Sequence, residues 1–302
     1  MRVGLSCYDI AASDLVELAV AADRTGFDSI WLGEHVVLPL DYESAHPTAG
    51  DTAHQHHGGP IVDPDTVLVD PLVALAAAAA ATSHVRLATG IYLLALRPPL
   101  VTARMTATLA DVSGGRFVLG VGSGWLEEEF AAVGVPFAER GPRVDESIDI
   151  LRKAWSGKPF DHDGRFWSFG RVQVASGPVD VPLVLGGNTE RALRRAAVRA
   201  DGWFASGTPS FDDAVRLRSR LLELRADAGL HEPFPTYTRV AEADPAQLDR
   251  YDDAGFDAVV VWADQLWPAT GDRDGKVAAL GEAATRLGLT PPASPEEAPS
   301  CT

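Results

Sequence analysis

Short apolar runs rich in Val, Ile and Leu alternate with longer stretches of helical period from one end of the chain to the other. The runs predict strands over 3–7, 29–32, 85–91, 117–121, 183–185, 203–205, 236–241 and 258–262. Helical signals follow each of them, over 14–25, 71–82, 99–112, 143–155, 189–200, 211–228, 245–254 and 275–287. Ser13 stands where an N-cap is expected and Gly26 where a helix would stop. Two stretches interrupt the alternation. One is a long polar loop from Gly33 to about Asp65. The other lies between the fourth and fifth strands and holds the 143–155 helix and an extended aromatic segment, 160–174. Eight strand–helix units without an interdomain linker predict an α/β fold of the (β/α)8, or TIM-barrel, class. It carries insertions after strand 2 and between strands 4 and 5. A doubly wound open sheet is the rival, but it would ordinarily use fewer units or a second domain. The reading is one domain over 1–289, with the Pro-, Ser- and Glu-rich residues 290–302 as a disordered tail.

Composition narrows the partners more than the fold. A net charge of −16 over 302 residues argues against nucleic acid or an anionic membrane surface, both of which call for basic patches. Two cysteines, Cys7 and Cys301, offer no disulfide framework, so a reduced, cytoplasmic setting is expected. The first ten residues lack the apolar run of a secretory leader, and the longest apolar stretch, over 71–81, is mostly alanine and too short to span a bilayer.

In a barrel of this class the chemistry sits where the strands end. The first strand ends in Ser6, Cys7 and Tyr8, the second in Glu34 and His35, and the third in the Gly90–Ile91 segment of "LATGIYLLALRPP". The fourth ends in "GVGSGWLEEEF" and the fifth in "LGGN". Glycine inside a strand marks a bulge or a close approach of backbone or ligand. "GGN" opening a helix presents free amides and a positive dipole end to an anion such as a phosphate, although an ordinary tight turn would read the same way. The run Gly120, Gly122, Gly124 lacks the spacing of a dinucleotide fingerprint and reads as a strand end passed closely by another backbone or a ligand. Trp125 and Glu128 follow on the loop and are candidates to line the cleft. His35 is the candidate proton carrier, since an imidazole can hydrogen-bond and pass a proton near neutral pH. Glu34 is its acidic neighbour, and Cys7 and Tyr8 are candidate substrate contacts. The four histidines His46, His54, His56 and His57 fit no common zinc spacing, so no metal is expected and a mobile lid is the preferred reading of that segment.

The segments "TGFDSIWLGEHVVLP", "LATGIYLLALRPP", "TLADVSGGRFVLGVGSGWLEEEF" and "VPLVLGGN" resemble the motifs of the bacterial luciferase-like superfamily of flavin- and deazaflavin-dependent oxidoreductases. Within it the pattern is most similar to enzymes of actinobacterial type that use coenzyme F420. The resemblance implies an oxidoreductase that binds F420, or alternatively FMN, and moves hydride to or from a small organic substrate. It implies an acidic–His pair at Glu34 and His35 beside the ring, with Gly90, Ile91, Gly124, Trp125 and Glu128 around the cofactor. It places the cofactor phosphate on Gly186, Gly187 and Asn188, and a non-proline cis peptide at Gly90–Ile91. Pro39 stands where one F420-using sugar-phosphate dehydrogenase branch has tryptophan, which sets that branch's substrate apart. The alternatives are a two-component FMN monooxygenase and a non-catalytic flavin-binding barrel. The apolar surface of 99–112 and 143–155 suggests a homo-oligomer, most simply a dimer.

Overall fold

The computed structural model of the protein describes residues 1–46, 63, 65–268 and 270–293. The expected tail from 294 onward and the expected lid histidines His54, His56 and His57 lie outside these residues. Eight parallel strands close on themselves: β1 (Arg2–Cys7), β2 (Ser29–Leu32), β3 (Arg86–Thr89), β5 (Phe117–Gly122), β8 (Leu183–Gly186), β9 (Gly202–Phe204), β10 (Thr236–Val240) and β11 (Ala258–Trp262). Closure comes from the first and last strands, where Val3 pairs with Val259 and Leu5 with Val261. The alternating strand–helix pattern thus forms a (β/α)8 barrel.

Strand side chains alternate between two apolar cores, as the period of two requires. Ile30, Leu87, Leu119, Leu183 and Val259 face the helices in the larger core. Trp31, Ala88, Val118, Val184, Phe204 and Tyr237 form the smaller one inside the barrel. There Trp31 packs against Phe204 and Tyr237 with ring centroids 4.7 and 4.9 Å away, so the barrel is plugged below its mouth.

The surrounding helices are α1 (Ala12–Thr25), α2 (Pro71–Ala81), α3 (Pro99–Val112), α5 (Arg140–Trp155), α6 (Glu190–Arg199), α7 (Phe211–Asp227), α8 (Pro245–Asp253) and α9 (Arg273–Arg286). Gly26 ends α1 with φ +89°, as its sequence position suggests. The expected cap Ser13 lies inside the helix instead. The N-cap is Ala11, which makes no side-chain cap, and the helix begins two residues earlier than read. Between strands β5 and β8 lie the unpredicted short helix α4 (Glu127–Ala132) and an antiparallel hairpin of β6 (Phe160–Asp163) and β7 (Ser168–Val172). Glu146 of α5 clasps that hairpin, accepting the backbone N–H groups of Arg165, Phe166 and Trp167 and pairing with the His162 ring. The aromatic segment is therefore a packed hairpin. Among the described residues no helix is long and apolar enough to cross a membrane.

Candidate active site

The predicted third strand breaks at Gly90–Ile91, which the structure holds as a cis peptide, as the resemblance implied. A two-residue continuation, β4 (Tyr92–Leu93), then pairs with the end of β5. The break turns the backbone across the barrel mouth, where a cavity of about 810 Å³ opens over the C-terminal strand ends. That volume is in the range of small-molecule sites. Ile91 lies on its floor between two side-chain-free strand ends. A β-carbon at Gly122 would fall 1.6 Å from Ile91 Cδ1, and one at Gly186 would fall 3.4 Å from Ile91 Cγ2.

His35 enters the cavity from the end of β2 and is held by a residue the sequence reading passed over. Its Nδ1 lies 2.8 Å from Oε2 of Glu129, a fully buried carboxylate on α4. The other Glu129 oxygen accepts the Val36 N–H. A carboxylate can only accept, so Nδ1–H donates and Nε2 is left for a ligand. Tyr8 and Trp125 meet the imidazole edge-on, with centroids 6.2 and 6.0 Å away. Burial, reinforced by Glu129, pushes the Tyr8 phenol well above its ordinary range, so it remains a neutral cavity wall at physiological pH.

Glu34 also borders the cavity but does different work. Its Oε1 accepts the Leu93 N–H at 2.7 Å and an Arg97 Nη1–H at 2.8 Å, and its Oε2 takes the other arm of the same guanidinium. Arg97 in turn lies 4.2 Å over the Tyr92 ring. Burial raises the Glu34 carboxyl, while Arg97 and the Leu93 N–H oppose that rise. With both oxygens committed, Glu34 braces β4 and is not the proton-carrying partner expected of it.

Two further expectations change for physical reasons. Cys7 is 3% exposed, packs in the outer core and does not line the cavity. Burial pushes its thiol up to about 12, so it is an inert packing group and not a substrate contact. Glu128 points away from the cavity toward the β2 loop, where it accepts the N–H groups of Glu43 and Ser44 and the Ser44 hydroxyl, the last at 2.7 Å. Those donors hold its carboxyl down at about 2. Gly124 and Trp125 do line the cavity. Gly124 has φ +78°, and a β-carbon there would meet Phe130 at 2.7 Å. Trp125 also packs on His46, at 4.8 Å.

The fifth-strand loop forms the outer end of the cavity. Gly186, Gly187 and Asn188 all line it. The Asn188 side chain is spent on the backbone of Ser206, donating to its carbonyl and accepting its N–H at 2.8 Å each. What this loop offers a ligand is therefore backbone amides at the N-terminus of α6, where Thr189 caps. Arg140 and Arg191 line the same end. Burial, and next the charge of Arg191, lowers Arg140 from its usual value, the mark of two cations set side by side. Arg195 behind them is paired with Asp145 at 2.7 Å. In a chain of net charge −16 this is a local cationic end, suited to phosphate. The run of arginines that opens α6 directly after "LGGN" was its signal in the sequence. Arg239, on β10, forms part of the floor and was also missed.

The barrel-mouth cavity thus brings together a histidine paired with a buried carboxylate and an end lined by two arginines and backbone amides. The chain belongs to the luciferase-like monooxygenase family, whose model matches residues 3–254. An uncharacterized protein of Mycobacterium tuberculosis is 33% identical over 250 residues, covering 82% of this chain and 83% of that one. An F420-dependent glucose-6-phosphate dehydrogenase of Beutenbergia cavernae is 31% identical over 213 residues, covering 68% of this chain and 56% of that enzyme. Among solved structures, an F420-dependent secondary alcohol dehydrogenase in complex with an F420–acetone adduct superposes with a TM-score of 0.71. The identity is 17%, over 95% of this chain and 98% of the other. The oxygenating component of a Pseudomonas putida diketocamphane monooxygenase in complex with FMN superposes with a TM-score of 0.60. The identity there is 20%, over 96% and 80% of the chains. At such identities the two structures speak for the fold.

Proposed function

We propose that this protein is an F420-dependent oxidoreductase that moves hydride between the deazaflavin ring and a small organic substrate. The observation that carries the reading is the cavity's division of labour. A cationic, amide-lined outer end is joined across the Ile91 floor to a histidine whose Nε2 is left open. The residues fit such a group: the Ile91 side chain, seated in the space left by side-chain-free Gly122 and Gly186, offers an apolar floor on which a flat ring could lie, and Arg140, Arg191 and the amides of the "GGN" turn would hold its phosphate.

When bound, a deazaflavin supplies hydride chemistry; the protein's task is to position it and to exclude competing reactions. Glu129 fixes the His35 tautomer and stabilises the imidazolium once it forms. His35 Nε2 is the atom that would take a proton from, or return it to, the substrate oxygen. Tyr8 and Trp125 wall the imidazole from solvent.

The choice of F420 over FMN is supported by two relatives named as F420-dependent glucose-6-phosphate dehydrogenases, at 29% and 31% identity. The FMN reading keeps support from the shared fold of the FMN-bound monooxygenase component, since both cofactors pair a ring with a phosphate. Titration of the purified protein with F420, FMN and FAD, followed by tryptophan fluorescence, separates them. Saturable micromolar binding of F420 with far weaker FMN binding is expected. Tight FMN binding without F420 binding would overturn the proposal.

A further inference from the structure

At the inner end of the cavity the side chain of Arg239 crosses the barrel floor. Its Nε donates to Ser6 Oγ at 2.9 Å, Nη1 to the Gly207 carbonyl at 3.3 Å and Nη2 to the Gly90 carbonyl at 3.3 Å. Its guanidinium carbon lies 4.9 Å from the Phe204 ring centre and 4.6 Å from that of Trp262. Every one of these partners is neutral. Among the described residues no carboxylate forms an ion pair with it, whereas the half-buried Arg97 and Arg195 each have one.

A guanidinium has five N–H donors, three are engaged, and one remains on each terminal nitrogen. Burial alone pulls Arg239 down to about 10, so the group is still charged at neutral pH. A buried, uncompensated cation is costly, and proteins retain one where a ligand supplies the missing charge. The surroundings limit that ligand. One unmatched positive charge calls for one negative charge, and the aromatic walls Phe204 and Trp262 favour an apolar body. The two arginines suited to a phosphate, Arg140 and Arg191, reach the cavity from α5 and α6, whereas Arg239 reaches it from β10.

We propose that Arg239 anchors the substrate through a single carboxylate, so that the enzyme acts on small organic acids with an apolar or aromatic body. This rests on the cavity being the active site described above. It adds the substrate class and the residue that selects it.

The test uses matched acid–amide pairs, acetate against acetamide and benzoate against benzamide. They are titrated into the purified protein with and without saturating F420 and read by tryptophan fluorescence, for which adjacent Trp262 is a reporter. In the wild-type protein at least one acid is expected to bind about tenfold or more tightly than its amide, the range of a charge-assisted hydrogen bond. In Arg239→Met the preference should collapse to near unity, and in Arg239→Lys part of it should survive. The wild-type comparison needs no variant, so a poorly folding Arg239→Met would not leave the question open. Equal binding of acid and amide in both pairs, no binding of either acid, or a preference that persists in Arg239→Met would each overturn the proposal. So would a loss of F420 affinity in Arg239→Met without any acid preference in the wild type, which would turn Arg239 toward the ring. If instead the acid preference holds and F420 fails to bind, the cofactor reading falls and the anchor stands.

Discussion

Glu34 and His35 follow one another at the end of β2, and each ends beside an ionisable partner. Glu34 meets Arg97 and His35 meets Glu129. The first pair is saturated: the arginine fork and a backbone N–H take both carboxylate oxygens. In the second pair only one imidazole nitrogen is used, and the other faces the cavity side. Adjacent residues at a strand end point in different directions. Here that elementary fact assigns one to bracing the mouth and leaves its neighbour an open valence. In the proposed chemistry the working pair at this mouth is the unfinished one, not the saturated one.

The sharpest way to break that contrast is His35→Ala. Turnover with any substrate once found should fall by about 10²–10⁴-fold, the usual worth of a positioned acid–base, with little change in cofactor affinity or melting temperature. Wild-type turnover in that variant would reduce His35 to a packing group. Glu34→Ala should do the reverse. It strips a half-buried arginine of its partner; for a fully buried pair about 3–5 kcal/mol of stability is typical. The lower end is expected, because Arg97 is 18% exposed. Urea unfolding would read the loss, and an unchanged midpoint would contradict the bracing role. Glu129→Gln tests the link between the two halves. An amide can donate to Nδ1 and so permit the wrong tautomer, lowering turnover by roughly ten- to a hundredfold at nearly constant stability. A loss of stability without loss of turnover would make Glu129 a brace as well.

The smallest effect is expected at Glu128, which holds the Glu43–Ser44 loop from the exposed side. Its folded carboxyl titrates at about 2, below the value of about 4.3 for a free glutamate. The stabilisation it gives is therefore complete above that ordinary value and fades as pH falls toward the folded one. Glu128→Gln should lower the melting temperature slightly at pH 7, and the gap to wild type should narrow between pH 5 and 3. A gap that widens on acidification would reverse the sign.

Most of the barrel was legible because its strands are short, fully buried and apolar. The bounds of β2, β11 and α3 match the reading residue for residue. The helix α4 was not legible: "EEE" looks like a solvated loop, and nothing local says which of three consecutive carboxylates turns inward. Packing decides it. Helical rotation of about 100° per residue sends Glu129 under His35 and its neighbour Glu128 to the loop. Arg239 was hidden for the opposite reason. It sits in a run read as strand, and its charge was the unheeded signal, since a buried barrel strand has no ordinary use for an arginine. Cys7 shows the remaining limit. A position at a strand end predicts proximity to the mouth, but the alternation of side chains decides on which side of the wall a residue lies.

Gly122 touches no polar group of the site, yet the room for a β-carbon there is already taken by the Ile91 side chain. One added methyl would have to push Ile91 into another rotamer and so into the space above the floor. The shape of the pocket can therefore be retuned from behind, by a change that leaves every histidine, arginine and carboxylate untouched. This gives a lineage of such barrels a way to exchange substrates while keeping its chemistry.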